Sequence, residues 1–205
     1  MEYVIFLIIV FFFNSLNFSN IYLNKINKDS SQSWTTHIGS SYIWKYHSKI
    51  AGIVIFFGDS ILKGLLPIFI AKFMIDFSQL DPINEYYLVP ILLTQIIGNN
   101  WSIFMRFKGG RGMAIIIGSL LGINAIMAII LYSLYLIIYL RIKDGGPAWI
   151  ISIGISCIFS LFFSTSLFFC YLICLFLIIL KRITGNSLSN NYKIIINRIV
   201  FDRDI

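Results

Sequence analysis

The densest concentration of chemically useful residues is Phe107-Lys108-Gly109-Gly110-Arg111-Gly112, standing directly before the apolar run that begins at Met113. Three glycines let the backbone turn its N–H groups toward a ligand, and a helix N-terminus just downstream adds a favourable dipole for an anion. Lys108 and Arg111 supply positive charge. The pattern is that of a phosphate cradle, although it is not the G-x-x-x-x-G-K-[ST] nucleotide loop. Read alone, it is equally a basic loop that orients the chain in a membrane. Immediately upstream, Gly98-Asn99-Asn100 closes another apolar run, and either asparagine could cap a helix or donate to an oxyanion. A second polar stretch, Thr35 to Ser41 followed by Lys45, offers hydroxyls around Gly39 that could wrap an anion.

Asp59 and Lys63 interrupt the apolar stretch 51–75 at spacing i, i+4, which puts them on one helix face where they neutralise each other. A charge at membrane depth costs a few kcal/mol, so such residues face a bundle interior. They read either as a structural ion pair or as part of a polar site, with Gly64 and Pro67 loosening the helix beside them. Other chemistries are missing. The sequence has no G-x-S-x-G elbow, no H-E-x-x-H and no H-x-x-x-x-D, so neither an activated serine nor a bound metal is expected. Cys157, Cys170 and Cys174 lie in apolar runs without a C-x-x-C pair and read as buried thiols.

These residues need a membrane-embedded frame. Of 205 residues, 58% are hydrophobic and 12% charged, and the mean hydropathy is +0.85. A water-soluble domain carries roughly 25% charged residues. Apolar runs at 3–23, 51–75, 86–104, 113–123, 125–140, 148–163 and 166–180 predict an all-α polytopic protein of about seven transmembrane helices, with turns near Asn124 and Ser164. The first run has Glu2 and no leading Lys or Arg, so it reads as a retained helix rather than a signal peptide. With the N-terminus outside, 14 of the 16 Lys and Arg residues fall on the cytoplasmic side, as the positive-inside rule requires, and the C-terminus is cytoplasmic. Residues 1–205 read as one membrane domain, with 181–205 a basic tail that is surface-bound or an interfacial helix.

Taken in order, the motifs resemble those of the bacterial PlsY family of acyl-phosphate:glycerol-3-phosphate acyltransferases. The family's first loop motif falls on Thr35-Thr36-His37-Ile38-Gly39-Ser40-Ser41-Tyr42, and its following arginine on Lys45. The next two fall on Ala51-Gly52-Ile53 and on Asp59, Lys63, Gly64 and Pro67. The fourth runs from Gly98-Asn99-Asn100 through Phe104 to Phe107-Lys108-Gly109-Gly110-Arg111-Gly112. Departures stand at His37 and Tyr42, where the family has asparagine, and at Asn99, where it has histidine. The third inner loop lacks the family serine, and the last motif keeps Arg182 and Asn186 but has Ile183 where a histidine belongs.

The resemblance implies acyl transfer from a fatty acyl phosphate to the sn-1 hydroxyl of glycerol 3-phosphate, giving lysophosphatidic acid, in the bacterial plasma (inner) membrane with a cytoplasm-facing site. It implies catalytic Lys45, Arg111 and Asn100, phosphate contacts at Thr35, Lys108, Gly109, Gly110 and Asn186, and an intramembrane pair Asp59–Lys63. No cofactor, metal or nucleic acid enters; the partners are the two substrates and membrane lipid. A degenerate non-catalytic relative that binds lipid or a partner protein, and a small transporter built on Asp59 and Lys63, are the alternatives.

Overall fold

The structure is a computed structural model and describes residues 1–26, 39–74, 86–186 and 191–202. Among these residues the fold is all-helical and contains no strand: α1 (Glu2–Ser15), α2 (Phe18–Lys25), α3 (Ser40–Tyr46), α4 (Lys49–Phe57), α5 (Leu66–Met74), α6 (Leu88–Asn100), α7 (Met113–Ile123), α8 (Ala125–Ile142), α9 (Gly145–Ser160), α10 (Thr165–Thr184) and α11 (Tyr192–Phe201). Three stretches are long and apolar enough to cross a membrane: Lys49–Phe73, α8 and α10. α1 and α2 make a fourth if taken as one span bent by 40°. α6, α7 and α9 are apolar but shorter.

Local chemistry sets most boundaries. The Asn17 side chain accepts from Asn20 N (2.8 Å) and starts α2, so the first apolar run breaks where the sequence predicts one helix. The turn predicted near Asn124 is present, with its amide oxygen capping Met127 N at 3.0 Å. Ser164 starts α10 in the same way through Leu167 N (3.2 Å), and Asp144 starts α9 through Gly146 N (3.0 Å). Each cap satisfies an amide that the first helical turn leaves without a partner.

Between α4 and α5 the backbone runs through a wide π-type segment, Gly58–Leu65, where the sequence predicts loosening. Gln95 from α6 stabilises it. Its Nε2 donates to the carbonyls of Lys63 and Gly64, both at 2.8 Å, while its Oε1 accepts from Ser119 of α7 at 2.8 Å. α7 lies close enough that a Cβ on Gly118 would collide with the Ser60 carbonyl; small residues permit such packing between helices in lipid. Lys72 donates to the Ile123 carbonyl (2.8 Å) at the C-terminal end of α7, where a cation is favoured. The main core joins α5 through α10, with Ile68, Leu92, Leu120, Leu131, Ile153 and Tyr171 buried in it. Cys157, Cys170 and Cys174 are buried and free, as predicted.

Candidate active site

The glycine-rich loop is folded back on the end of α6. Arg106, Phe107 and Gly112 adopt left-handed backbone conformations (φ 54°, 61° and 72°). Phe107 N donates to Ser102 O (2.8 Å) and Lys108 N to Met105 O (3.1 Å), which closes a tight turn. Gly110 N then reaches Asn99 O at 3.2 Å. At Gly109 a Cβ would run into the Asn99 and Asn100 carbonyls, so only glycine fits this approach. Beneath the loop, Ser102 Oγ donates to Ser15 O (2.5 Å) and ties it to α1.

From the other side Asn186 clamps the loop. Its Oδ1 accepts from Gly109 N (3.1 Å) and its Nδ2 donates to Gly109 O (3.2 Å). The buried Lys181 Nζ adds a third bond to Asn186 Oδ1 (2.9 Å) and sits 5.3 Å from the centre of the Trp101 ring.

In front of the loop is a cavity of about 740 Å³. Its polar lining includes Ser40, Ser41, Asp59, Asn99, Arg111 and Asp202; its apolar lining includes Phe56, Ile115, Ile117, Tyr132, Tyr135 and Trp149. Gly110, Gly112 and the first residues of α7 also face it, so the positive end of the α7 dipole is presented to whatever enters. Tyr132 donates to Ile117 O (2.5 Å), and Tyr135 meets Trp149 edge-on with ring centres 5.1 Å apart. The cavity can thus hold an anionic group and an apolar chain together.

Two ion-pair systems border it. Asp59 Oδ1 lies 2.7 Å from Lys63 Nζ; Lys63 is fully buried, while Asp59 keeps 14% exposure toward the cavity. Lys63 Nζ also donates to the Leu16 carbonyl and lies 4.1 Å from the Phe18 ring centre. The α1–α2 break therefore frees the acceptor that receives the buried ammonium. In the second, Arg111 pairs with Asp202, whose Oδ1 also stands 3.2 Å from Arg182 Nε.

Of the sequence-predicted residues, Arg111, Gly110 and Asp59 line this cavity together. Gly109, Lys108 and Asn186 belong to the loop and its support and do not line it. Asn100 is fully buried under the loop, with its Oδ1 against Gly112 and near Asn99 Nδ2 (3.3 Å). Lys45 is exposed and lines a neighbouring hollow of about 600 Å³ that shares Ser40, Ser41 and Phe56 with the first. Thr35 lies outside the described residues. The C-terminal segment is not merely a surface tail: Arg198 is buried, and Phe201 and Asp202 reach the cavity. Sequence reasoning missed Gln95, Asp202 and the Tyr132, Tyr135 and Trp149 wall. Gln95 had a signal, an amide in the middle of an apolar run.

A sequence profile described as glycerol-3-phosphate acyltransferase matches residues 4–190. This chain belongs to the glycerol-3-phosphate acyltransferase family. Its class is therefore that of a membrane acyltransferase. Among similar proteins, the glycerol-3-phosphate acyltransferase of Wolbachia pipientis subsp. Culex pipiens (strain wPip) is 28% identical over 183 residues, covering 89% of this chain and 92% of the relative. That of Clostridioides difficile (strain 630) is 25% identical over 159 residues, 77% of this chain and 76% of the relative. The fold matches that of PlsY (YgiH), an integral membrane glycerol 3-phosphate acyltransferase solved in its glycerol 3-phosphate form, with a TM-score of 0.77 at 20% identity over 93% of this chain and 96% of that one. The lysophosphatidic acid form of PlsY matches with a TM-score of 0.75.

Proposed function

We propose that this acyltransferase moves a fatty acyl group from acyl phosphate to the sn-1 hydroxyl of glycerol 3-phosphate, releasing lysophosphatidic acid and inorganic phosphate. The observation that carries this reading is the cavity in which Arg111, Gly110, Gly112 and the α7 N-terminus meet Ser40, Ser41 and an aromatic wall. Both substrates present phosphate, and one adds an acyl chain. The arginine fork and the helix dipole suit phosphate oxygens, and the Tyr132, Tyr135 and Trp149 wall suits methylenes.

Acyl phosphate is a mixed anhydride and therefore an activated acyl donor. The glycerol hydroxyl attacks its carbonyl carbon, the bond from that carbon to the bridging phosphate oxygen breaks, and phosphate departs with the electron pair and takes up the hydroxyl proton. Holding the two partners together and stabilising the oxyanion and the leaving phosphate supply most of the acceleration. Arg111 is the principal charge at the leaving group. Lys45, Lys108 and Thr35 are further phosphate contacts, Gly109 and Gly110 shape the cradle, and Asn100 and Asn186 hold it.

In the same reading the protein has seven spans in one domain, with N-terminus outside, C-terminal tail cytoplasmic and site facing the cytoplasm of a bacterial inner membrane. The distribution of basic residues supports this orientation. The chain is expected to restore growth to a bacterial strain lacking its own acyl-phosphate:glycerol-3-phosphate acyltransferase, and Arg111→Ala to abolish the rescue while inserting at the same level. Failure of the unaltered chain to rescue despite normal insertion contradicts the reading.

A further inference from the structure

Asp202 follows α11, beyond residue 190 where the family match ends. Its side chain is 11% exposed, lines the main cavity and pairs with Arg111. The second carboxylate oxygen stands 3.2 Å from Arg182 Nε. Arg182 is fixed in turn, with Nη1 donating to Ile199 O (2.7 Å) and Nη2 to Gly146 O (3.0 Å). α11 is seated closely. The Phe201 carbonyl approaches Gly146 so that a Cβ there would lie 2.9 Å from it, and the Arg198 guanidinium covers Gly185, where a Cβ would lie 2.7 Å away.

A carboxylate is thus delivered to the arginine read above as the phosphate contact. Carboxylate and phosphate present the same kind of oxygen pair to a guanidinium fork, so they compete for it. Two anions at one site repel, which raises the cost of keeping both on Arg111. Arg182 gives Asp202 a second cation, so the carboxylate can leave Arg111 without being stranded in a buried position.

We propose that Asp202 is an internal counter-anion that sets the affinity of the Arg111 subsite: it holds Arg111 until a substrate phosphate displaces it, and reclaims it as a phosphate product departs. The inference rests on the reading of Arg111 as an anion contact. Asp202 acts through Arg111 and is a positioning residue, not a catalytic one. Displacement weakens apparent phosphate affinity by the stability of the pair, and recapture favours product release.

The test uses the full chain in detergent, inorganic phosphate as the binding probe, and steady-state kinetics. Asp202→Asn keeps the side-chain shape and removes the charge. It is expected to bind inorganic phosphate about three- to tenfold more tightly and to lower KM for glycerol 3-phosphate by a similar factor, with kcat not raised. Asp202→Ala is expected to shift affinity the same way, and the gain is expected to vanish in Arg111→Ala/Asp202→Asn. Unchanged or weaker phosphate binding in both Asp202 variants overturns the proposal, as does a fall in kcat with KM constant. Phosphate binding is read without turnover, so a protein that shows the shift but transfers no acyl group contradicts the proposed reaction and leaves the counter-anion standing.

Discussion

Asn186 engages both of its amide atoms on the backbone of a single residue, Gly109, and takes a further bond from Lys181. Its side chain works on the loop rather than at the cavity wall. Each such bond contributes about 1 kcal/mol net, and losing them leaves the Gly109 amide and carbonyl to find water. Asn186→Ala is therefore expected to lower kcat/KM about tenfold through a mispositioned loop, with the larger change in KM for glycerol 3-phosphate; unchanged kinetics would contradict the clamp. At this scale the sequence is only partly legible. Arg111 and the glycines announce themselves by type and spacing. Asp202 does not, because its partners stand 91 and 20 positions away and nothing local marks a tail carboxylate as bound for the site.

Among elements, the Gly58–Leu65 segment shows how a polar site is tolerated at membrane depth. A wide turn frees carbonyls, and the amide of Gln95 takes two of them while Ser119 completes its own bonding. Gln95→Leu is expected to destabilise the protein by about 1–3 kcal/mol, because two buried carbonyls lose their donor. A melting temperature in detergent lower by several degrees checks this; no change would mean the carbonyls find other partners. Loosening was legible from Gly64 and Pro67, and the turns at Asn124 and Ser164 from short polar residues between apolar runs. The break at Leu16–Asn17 was not, since the apolar pattern on both sides is consistent with one helix. It exists because the Asn17 cap and the Lys63 bond to Leu16 O favour it together, and the second comes from a distant part of the chain.

For the whole molecule, hydropathy made the class legible: a helical membrane protein. The ordered motifs pointed to the family, and the profile match over residues 4–190 confirms it. The sequence could not show how the parts converge, with loop 101–112, α3, the wide turn and the C-terminal helix meeting at one cavity of about 740 Å³. That convergence is set by packing over long sequence separations. The central claim is that this cavity joins an acyl phosphate to glycerol 3-phosphate, and it is tested most directly by inorganic phosphate release from acyl phosphate by the purified chain. Release is expected only when glycerol 3-phosphate is present, in step with lysophosphatidic acid formation, and Arg111→Ala is expected to slow it about 100-fold. No release with both substrates present, or release at the same rate from Arg111→Ala, would contradict the account.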